Sequence, residues 1–264
     1  MAKKLKSGLW LPIFDELADP RVVARVAAEA EENGWDGVFV WDHIRWREPV
    51  RAVADASITL AAIAAATERV RLGPMVTPVP RRRPVKLARE TASLDQLSDG
   101  RLIMGVGIGE DRFGAEFSKT GEQLDLRMRG QMLDETLDIL TTAWSGETVR
   151  HHGDHYTVDE IQFQPSRRIP VWIAAMPRNA KPLRRAARYD GFFPVNLDSA
   201  DQLAEALAVI QPSESYDVAI SVEAGTDPQP YAAAGATWWM TDFNCEAMKL
   251  DEVRGVVRDG PVDR

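Results

Sequence analysis

The sequence predicts an α/β protein, a (β/α)8 TIM barrel with a small hairpin insertion before the fifth strand, spanning residues 1–264 as one domain. Three observations carry this. Strand-like and helix-like segments alternate almost from the first residue, eight such pairs can be read, and 264 residues divided by eight gives 33 per pair. That spacing is close to the ~30 residues of a β-helix-β step, and the total is close to the ~250 of a whole barrel. Alternation alone also allows an open doubly wound sheet. Eight pairs without a compositional break favour closure.

The first strand is read at 8–14. Asp19 then offers an N-cap, Pro20 suits the first helical position, and Val22, Val23, Val26, Ala27 and Ala30 form one apolar stripe. Asn33-Gly34 stops that helix. Residues 36–41 make a compact apolar run, as expected of a parallel strand buried on both faces, and a helix over 55–66 follows. Strand three is 70–76, helix three 85–97 and strand four 101–106. The helix over 127–144 is the clearest, with Leu133, Leu137, Leu140 and Trp144 recurring at helical spacing. The polar, β-rich stretch 147–165 reads as the hairpin, and strand five resumes at 169–174. Strands at 191–195, 216–222 and 237–241 then alternate with helices at 179–188, 200–210, 229–234 and 248–258.

Hydrophobic residues make up 45 % and charged residues 27 % of the chain, ordinary for a globular protein with a sizeable core. A net charge of −8 argues against nonspecific nucleic-acid binding, which needs surplus Lys and Arg facing phosphates. A small-molecule substrate is the expected partner. Cys245 is the single cysteine, so no internal disulfide forms, and a reducing cytoplasm fits. Lys3, Lys4 and Lys6 precede only a short apolar run holding Trp10 and Pro12, with no small-residue cleavage site, so no signal peptide is expected. The weakly polar run 58–66 is too short for a bilayer, and no membrane role is expected.

In such a barrel functional groups gather on the loops after the strands. After strand two stands Asp42-His43-Ile44-Arg45-Trp46. His43 there can exchange a proton near neutral pH, with Asp42 biasing its tautomer and Trp46 walling an aromatic ligand. The plainer alternative is a capping aspartate beside a structural histidine. After strand four, Gly105-Val106-Gly107-Ile108-Gly109-Glu110 lets backbone approach a ligand closely. It is not the dinucleotide fingerprint, because Glu110 occupies the place of the last glycine. Arg81-Arg82-Arg83 reads either as a solvated loop or as rim charge toward an anion. His151, His152 and His155 match no metal-ligand spacing and fit a turn, so no metal is expected.

Together, Trp41-Asp42-His43, the block from Thr77-Pro78 to Ala88-Arg89-Glu90, Leu94-Asp95-Gln96-Leu97-Ser98-Asp99-Gly100-Arg101 and Gly105-Val106-Gly107-Ile108-Gly109 resemble the bacterial luciferase-like superfamily of flavin- and deazaflavin-dependent oxidoreductases. The resemblance covers nearly the whole chain, including His151 to Tyr156 and Arg185 to Gly191. It implies a barrel with reduced coenzyme F420 (an 8-hydroxy-5-deazaflavin) or FMN at the carboxyl end. It also implies a non-prolyl cis peptide near Met75 and Val76, and Thr77 facing the ring. Gly107, Ile108 and Gly109, with Ala175, Met176 and Asn179 after strand five, would approach the phosphate, and Arg127 or Arg129 would add charge; Asp42 joins the cofactor-binding set.

By likeness to the deazaflavin sugar-phosphate dehydrogenases, His43 is general base toward a substrate hydroxyl, Trp46 shapes the reacting centre and Glu110 supplies a proton to the ring. No set of lysines matches their sugar-phosphate clamp. The connection between 222 and 237 is brief, so the substrate pocket is expected to be open or completed by a second subunit of a homodimer. The first functional expectation is F420-dependent hydride transfer with a small organic substrate. The alternatives are an FMN-dependent monooxygenase and a non-catalytic flavin-binding barrel.

Overall fold

In the computed structural model, which describes residues 5–261, alternation does close into a barrel. In chain order the strands are β1 (Lys6–Leu11), β2 (Gly37–Val40), β3 (Arg71–Pro74), β4 (Thr77–Pro78), β5 (Met104–Gly107), β6 (Thr148–His152), β7 (Thr157–Gln162), β8 (Val171–Ala175), β9 (Gly191–Pro194), β10 (Asp217–Glu223) and β11 (Trp238–Asp242). The helices are α1 (Pro20–Glu32), α2 (Ala56–Ala66), α3 (Pro84–Leu97), α4 (Leu126–Ser145), α5 (Ala180–Ala186), α6 (Ala200–Ile210), α7 (Gln229–Ala233) and α8 (Leu250–Asp259).

The main sheet runs β3-β2-β1-β11-β10-β9-β8-β5-β4. Its two ends are one strand in two parts: β3 and β4 flank a cis peptide between Met75 and Val76, where the resemblance placed it. Leu72 bridges Leu102 in parallel and Thr77 pairs with Val106. The ring therefore closes with eight staves.

Local chemistry explains most boundaries. Asp19, Asp55, Asp125 and Ser199 each accept a backbone N–H from the first turn of the helix that follows, satisfying donors that the helix cannot. The first strand starts and ends earlier than expected, because Pro12 has no N–H for a ladder and Phe14 instead bridges Val53. The fourth stave begins at Met104 rather than 101. Arg101, buried beneath it, donates to the carbonyls of Ala64, Thr67, Val70 and Ser98 and to the Thr67 hydroxyl. A guanidinium so fully satisfied anchors the chain outside the ladder.

Alternation along each stave divides the core in two. Phe39, Met75, Ile103, Trp172, Phe193, Ala219, Trp238 and Met240 fill the barrel interior, with Trp10, Val76, Ala174 and Val195 partly buried above or beside them. The other faces meet the helices in a larger cluster. β6 and β7 form the expected hairpin. It is pinned to α4 by Glu135, which takes the N–H groups of Asp154, His155 and Tyr156 and lies 3.1 Å from His151 Nε2. Of its histidines, His151 joins this anchor through its ring and His155 through its backbone N–H, and the described residues contain no metal-binding group of side chains.

Candidate active site

The loop after β2 and the long loop after β5 fold onto one another above the barrel. Phe113 stacks on Trp46 with ring centroids 5.0 Å apart, and Trp46 meets His43 edge-on at 4.7 Å. Trp41 and Phe14 complete this aromatic group. His43 and Trp46 are therefore together, as the sequence implied.

The partner of His43 is a residue that the sequence reading missed. Nδ1 of His43 lies 2.8 Å from Oε2 of Glu116, whose side chain is 1 % exposed. The other oxygen of Glu116 accepts from Arg81 at 2.7 Å and from the N–H groups of Ile44 and Arg45. Burial alone would raise the Glu116 carboxyl; the His43 hydrogen bond, the Arg81 charge and the Ile44 N–H outweigh it and hold it below the ordinary value. An ionised Glu116 accepts hydrogen bonds only, so His43 donates from Nδ1 and keeps the lone pair of the neutral ring on Nε2.

Asp42 does not bias this tautomer. Its carboxylate is buried, 3.2 Å from Arg81 and 2.8 Å from the half-buried Arg82. Trp41 turns inward and Asp42 outward, as strand alternation requires. Its side chain therefore belongs to an ionic brace between the loops after β2 and β4, not to a cofactor surface. The same brace corrects the reading of Arg81 and Arg82 as rim or solvated charges: Arg81 is 4 % exposed.

Other expected contacts divide similarly. Thr77 is buried and lines a cavity of about 20 Å3 with Asp42, Ser57, Arg82 and Glu90. Val76 faces the interior, so Thr77 points to the helices rather than to a ring above the barrel. Ala175 also packs outward into the helix-side core, leaving only its backbone to meet a ligand. Met176 and Asn179 are exposed, and Asn179 caps α5 without a side-chain bond. Pro182, third in α5, removes one N–H from that helix start. Arg129 is not free for a phosphate, because it donates to the carbonyls of Ile108 and Gly109 and stacks over Phe117. Glu110 is exposed and accepts from the N–H groups of Asp111 and Arg112.

What remains is a floor suited to a flat ring. A Cβ at Gly107 would come within 3.2 Å of Val76 and 3.5 Å of Ala174, and one at Gly105 would strike Met75. Gly109 takes φ +76°, a conformation that costs glycine little. Above this floor the buried indole nitrogens of Trp41 and Trp46 have no acceptor, which a ligand bearing oxygens would supply. The residues present fit a flavin-type group. A cavity of about 490 Å3 lies elsewhere, among Trp144, Arg167, Arg168 and Asp190 at the start of β8 and β9, and Arg168 is already paired with Asp190.

Comparison with known proteins bears on the family and the fold. An F420-dependent glucose-6-phosphate dehydrogenase from Gordonia bronchialis is 32 % identical over 249 residues, 88 % of this chain and 72 % of that protein. Other dehydrogenases of the same description align over about half of their own length. Among solved structures, an F420-dependent secondary alcohol dehydrogenase in complex with an F420-acetone adduct superposes with a TM-score of 0.79 at 18 % identity, covering 97 % of this chain and 98 % of that one. The monooxygenase RslO1 from Streptomyces bottropensis does so at 0.78 and 22 % identity, covering 96 % and 97 %. The family profile described as luciferase-like monooxygenase matches residues 6–238, and the chain belongs to that family.

Proposed function

We propose that this chain is an oxidoreductase using coenzyme F420, moving a hydride between the cofactor and a carbon that bears a small substrate's hydroxyl or carbonyl oxygen. The observation that carries the reading is the His43–Glu116 pair, which leaves Nε2 of His43 as a proton acceptor beside the aromatic wall. The F420 dependence of the dehydrogenase from Gordonia bronchialis supports the choice of cofactor. Gly107, Ile108, Gly109 and the backbone at Met75, Val76 and Ala175 would hold the ring and its chain, with Met176 and Asn179 at the phosphate end. When bound, the deazaflavin supplies a hydride acceptor or donor that does not react with oxygen as a flavin does.

In the oxidative direction His43 Nε2 takes the hydroxyl proton while the carbon gives up its hydride and the C–O bond becomes a carbonyl. Glu116, made anionic by its surroundings, stabilises the imidazolium that results. Arg81 holds Glu116, so the pair is fixed before substrate arrives. Trp46 and Trp41 exclude water and offer N–H groups to substrate oxygen. Glu110, directly after the glycine floor, is the proposed proton donor to the ring. We further place the enzyme in the cytoplasm as a single-domain homodimer. Supporting the dimer, α2 carries no charged residue and leaves Ile58 62 % exposed. Among the described residues no helix is long and apolar enough to cross a membrane.

Titration of the purified protein with F420 and with FMN, read by fluorescence and by mass spectrometry of co-purifying ligand, tests the cofactor. Affinity for F420 is expected; tight FMN binding without it would point to oxygenation instead. Affinity for neither would leave a non-catalytic barrel. His43→Ala should keep cofactor affinity and lower turnover by about 10²–10⁴-fold.

A further inference from the structure

The reaction site described above uses the wall formed by β2 to β5; on the other side of β1, the wall of β11 and β10 ends in a carboxylate with no assigned work. Trp238 and Met240 of β11 point into the barrel, so Asp242, two residues on, takes the next inward position at the top of the same strand. In register it stands beside Trp10 of β1 and Glu223 of β10. Trp10 belongs to the interior, its ring tilted against Trp41 and edge-on to Phe193, and donates its indole N–H to the carbonyl of Met75. Asp242 therefore shares a layer with residues that touch the proposed ring floor.

Its own hydrogen bonding is nearly empty. The Phe243 N–H donates to Oδ1 at 2.8 Å, and no described lysine, arginine or histidine forms an ion pair with it. Basic side chains of the neighbouring loops are engaged elsewhere: Arg81 with Glu116 and Asp42, Arg129 with loop carbonyls, Arg45 with the Gly114 carbonyl, Arg47 with Glu246, Lys249 with Glu16, and Arg112 over the Phe113 ring. Burial, with Glu223 as a second negative charge, pushes the Asp242 carboxyl up to about 6 despite the Phe243 N–H. Such a group is stabilised by whatever brings it a donor or a positive charge. On the other wall, Trp46 is 9 % exposed and its Nε1–H lacks an acceptor.

We propose that Asp242 is a specificity-determining residue, selecting a substrate that presents a hydroxyl or ammonium donor to β11 and carries no phosphate or carboxylate. This deepens the oxidoreductase reading and rests on it. The substrate then offers an oxygen to His43 and Trp46 and a donor to Asp242, whose following loop packs on the Trp46 group through Cys245. A phosphate ester would meet Asp242 and Glu223 with like charge. The substrate class so defined is a small amino alcohol or polyol rather than a sugar phosphate.

The test compares three alcohols of one skeleton type: 1-amino-2-propanol, 1,2-propanediol and lactate, with glycerol 3-phosphate as the phosphate ester. Binding to the F420-loaded full chain is read by ligand-observed NMR. The wild type should bind the amino alcohol about tenfold or more better than lactate, and Asp242→Asn should reduce that ratio by about tenfold. Asparagine still accepts the Phe243 N–H, and Asp242→Glu, which restores the charge, should recover part of the preference. An unchanged ratio in Asp242→Asn, or wild-type preference for lactate or glycerol 3-phosphate, overturns the proposal. If F420 does not bind but the ratio and its loss persist in cofactor-free protein, the role of Asp242 stands and the deazaflavin reading falls.

Discussion

Two walls of the same barrel end handle buried charge in opposite ways. On the wall of β2, β4 and β5, Asp42, Arg81, Arg82, Glu116 and His43 form a continuous set of pairs, with distances between 2.7 and 3.2 Å. On the wall of β10 and β11, Asp242 and Glu223 stand in register, and no described cation pairs with either. The first arrangement fixes a base before any ligand arrives. The second leaves a demand that a ligand can meet. Paired charge gives position, and unpaired charge gives selection.

Breaking the first wall should have the largest effect. Glu116→Ala leaves Arg81 with Asp42 as its one ionic partner and frees His43, at a cost of about 1–3 kcal/mol; melting curves should fall by roughly 5 °C, and turnover should drop as in His43→Ala. A stable Glu116→Ala variant with full turnover would show that the brace holds nothing.

The second wall should respond with opposite sign. A carboxyl whose folded pKa lies near 6, against an ordinary 3.8, favours the folded state when protonated, and this advantage disappears as pH rises from about 4 through about 6. Asp242→Asn should therefore raise the melting temperature at pH 8, by the equivalent of about 1–2 kcal/mol after screening, and leave it unchanged at pH 4. A loss of stability at pH 8 would mean that Asp242 has a cationic partner. The smallest effect is expected from Glu223→Gln. It should lower the Asp242 pKa by a few tenths of a unit, readable by carboxyl NMR.

The two walls also differed in how far the sequence revealed them. Local signals carry helix positions: Asp19 reads as a cap and is one, the helix expected over 55–66 starts one residue later with Asp55 as its cap, and α6 has the expected bounds of 200–210. His43 and Trp46 lie three residues apart, so their proximity was legible. Glu116 is 73 residues from His43 and sits in a loop with no periodic pattern. Only the aromatic pair Phe113 and Phe117 on either side of it hinted that this loop packs. Arg81 in a run of three arginines looks solvated, and its burial depends on two acids brought in from other loops. Thr77 and Asp42 come to the cofactor set through the family resemblance. Alternation, counted through the cis peptide and past Trp41, turns both outward. Asp242 was lost by one residue, because the strand was expected to end at 241.

The central claim is that Glu116 sets the tautomer of His43 so that Nε2 faces the substrate as a base. Nitrogen-15 NMR of histidine-labelled protein at pH 8, with His43→Ala identifying the signal among four histidines, measures this without a substrate. The account predicts a proton on Nδ1 and a bare Nε2, reversed or averaged in Glu116→Gln. A proton on Nε2 in the wild type, with Nδ1 bare, would contradict it.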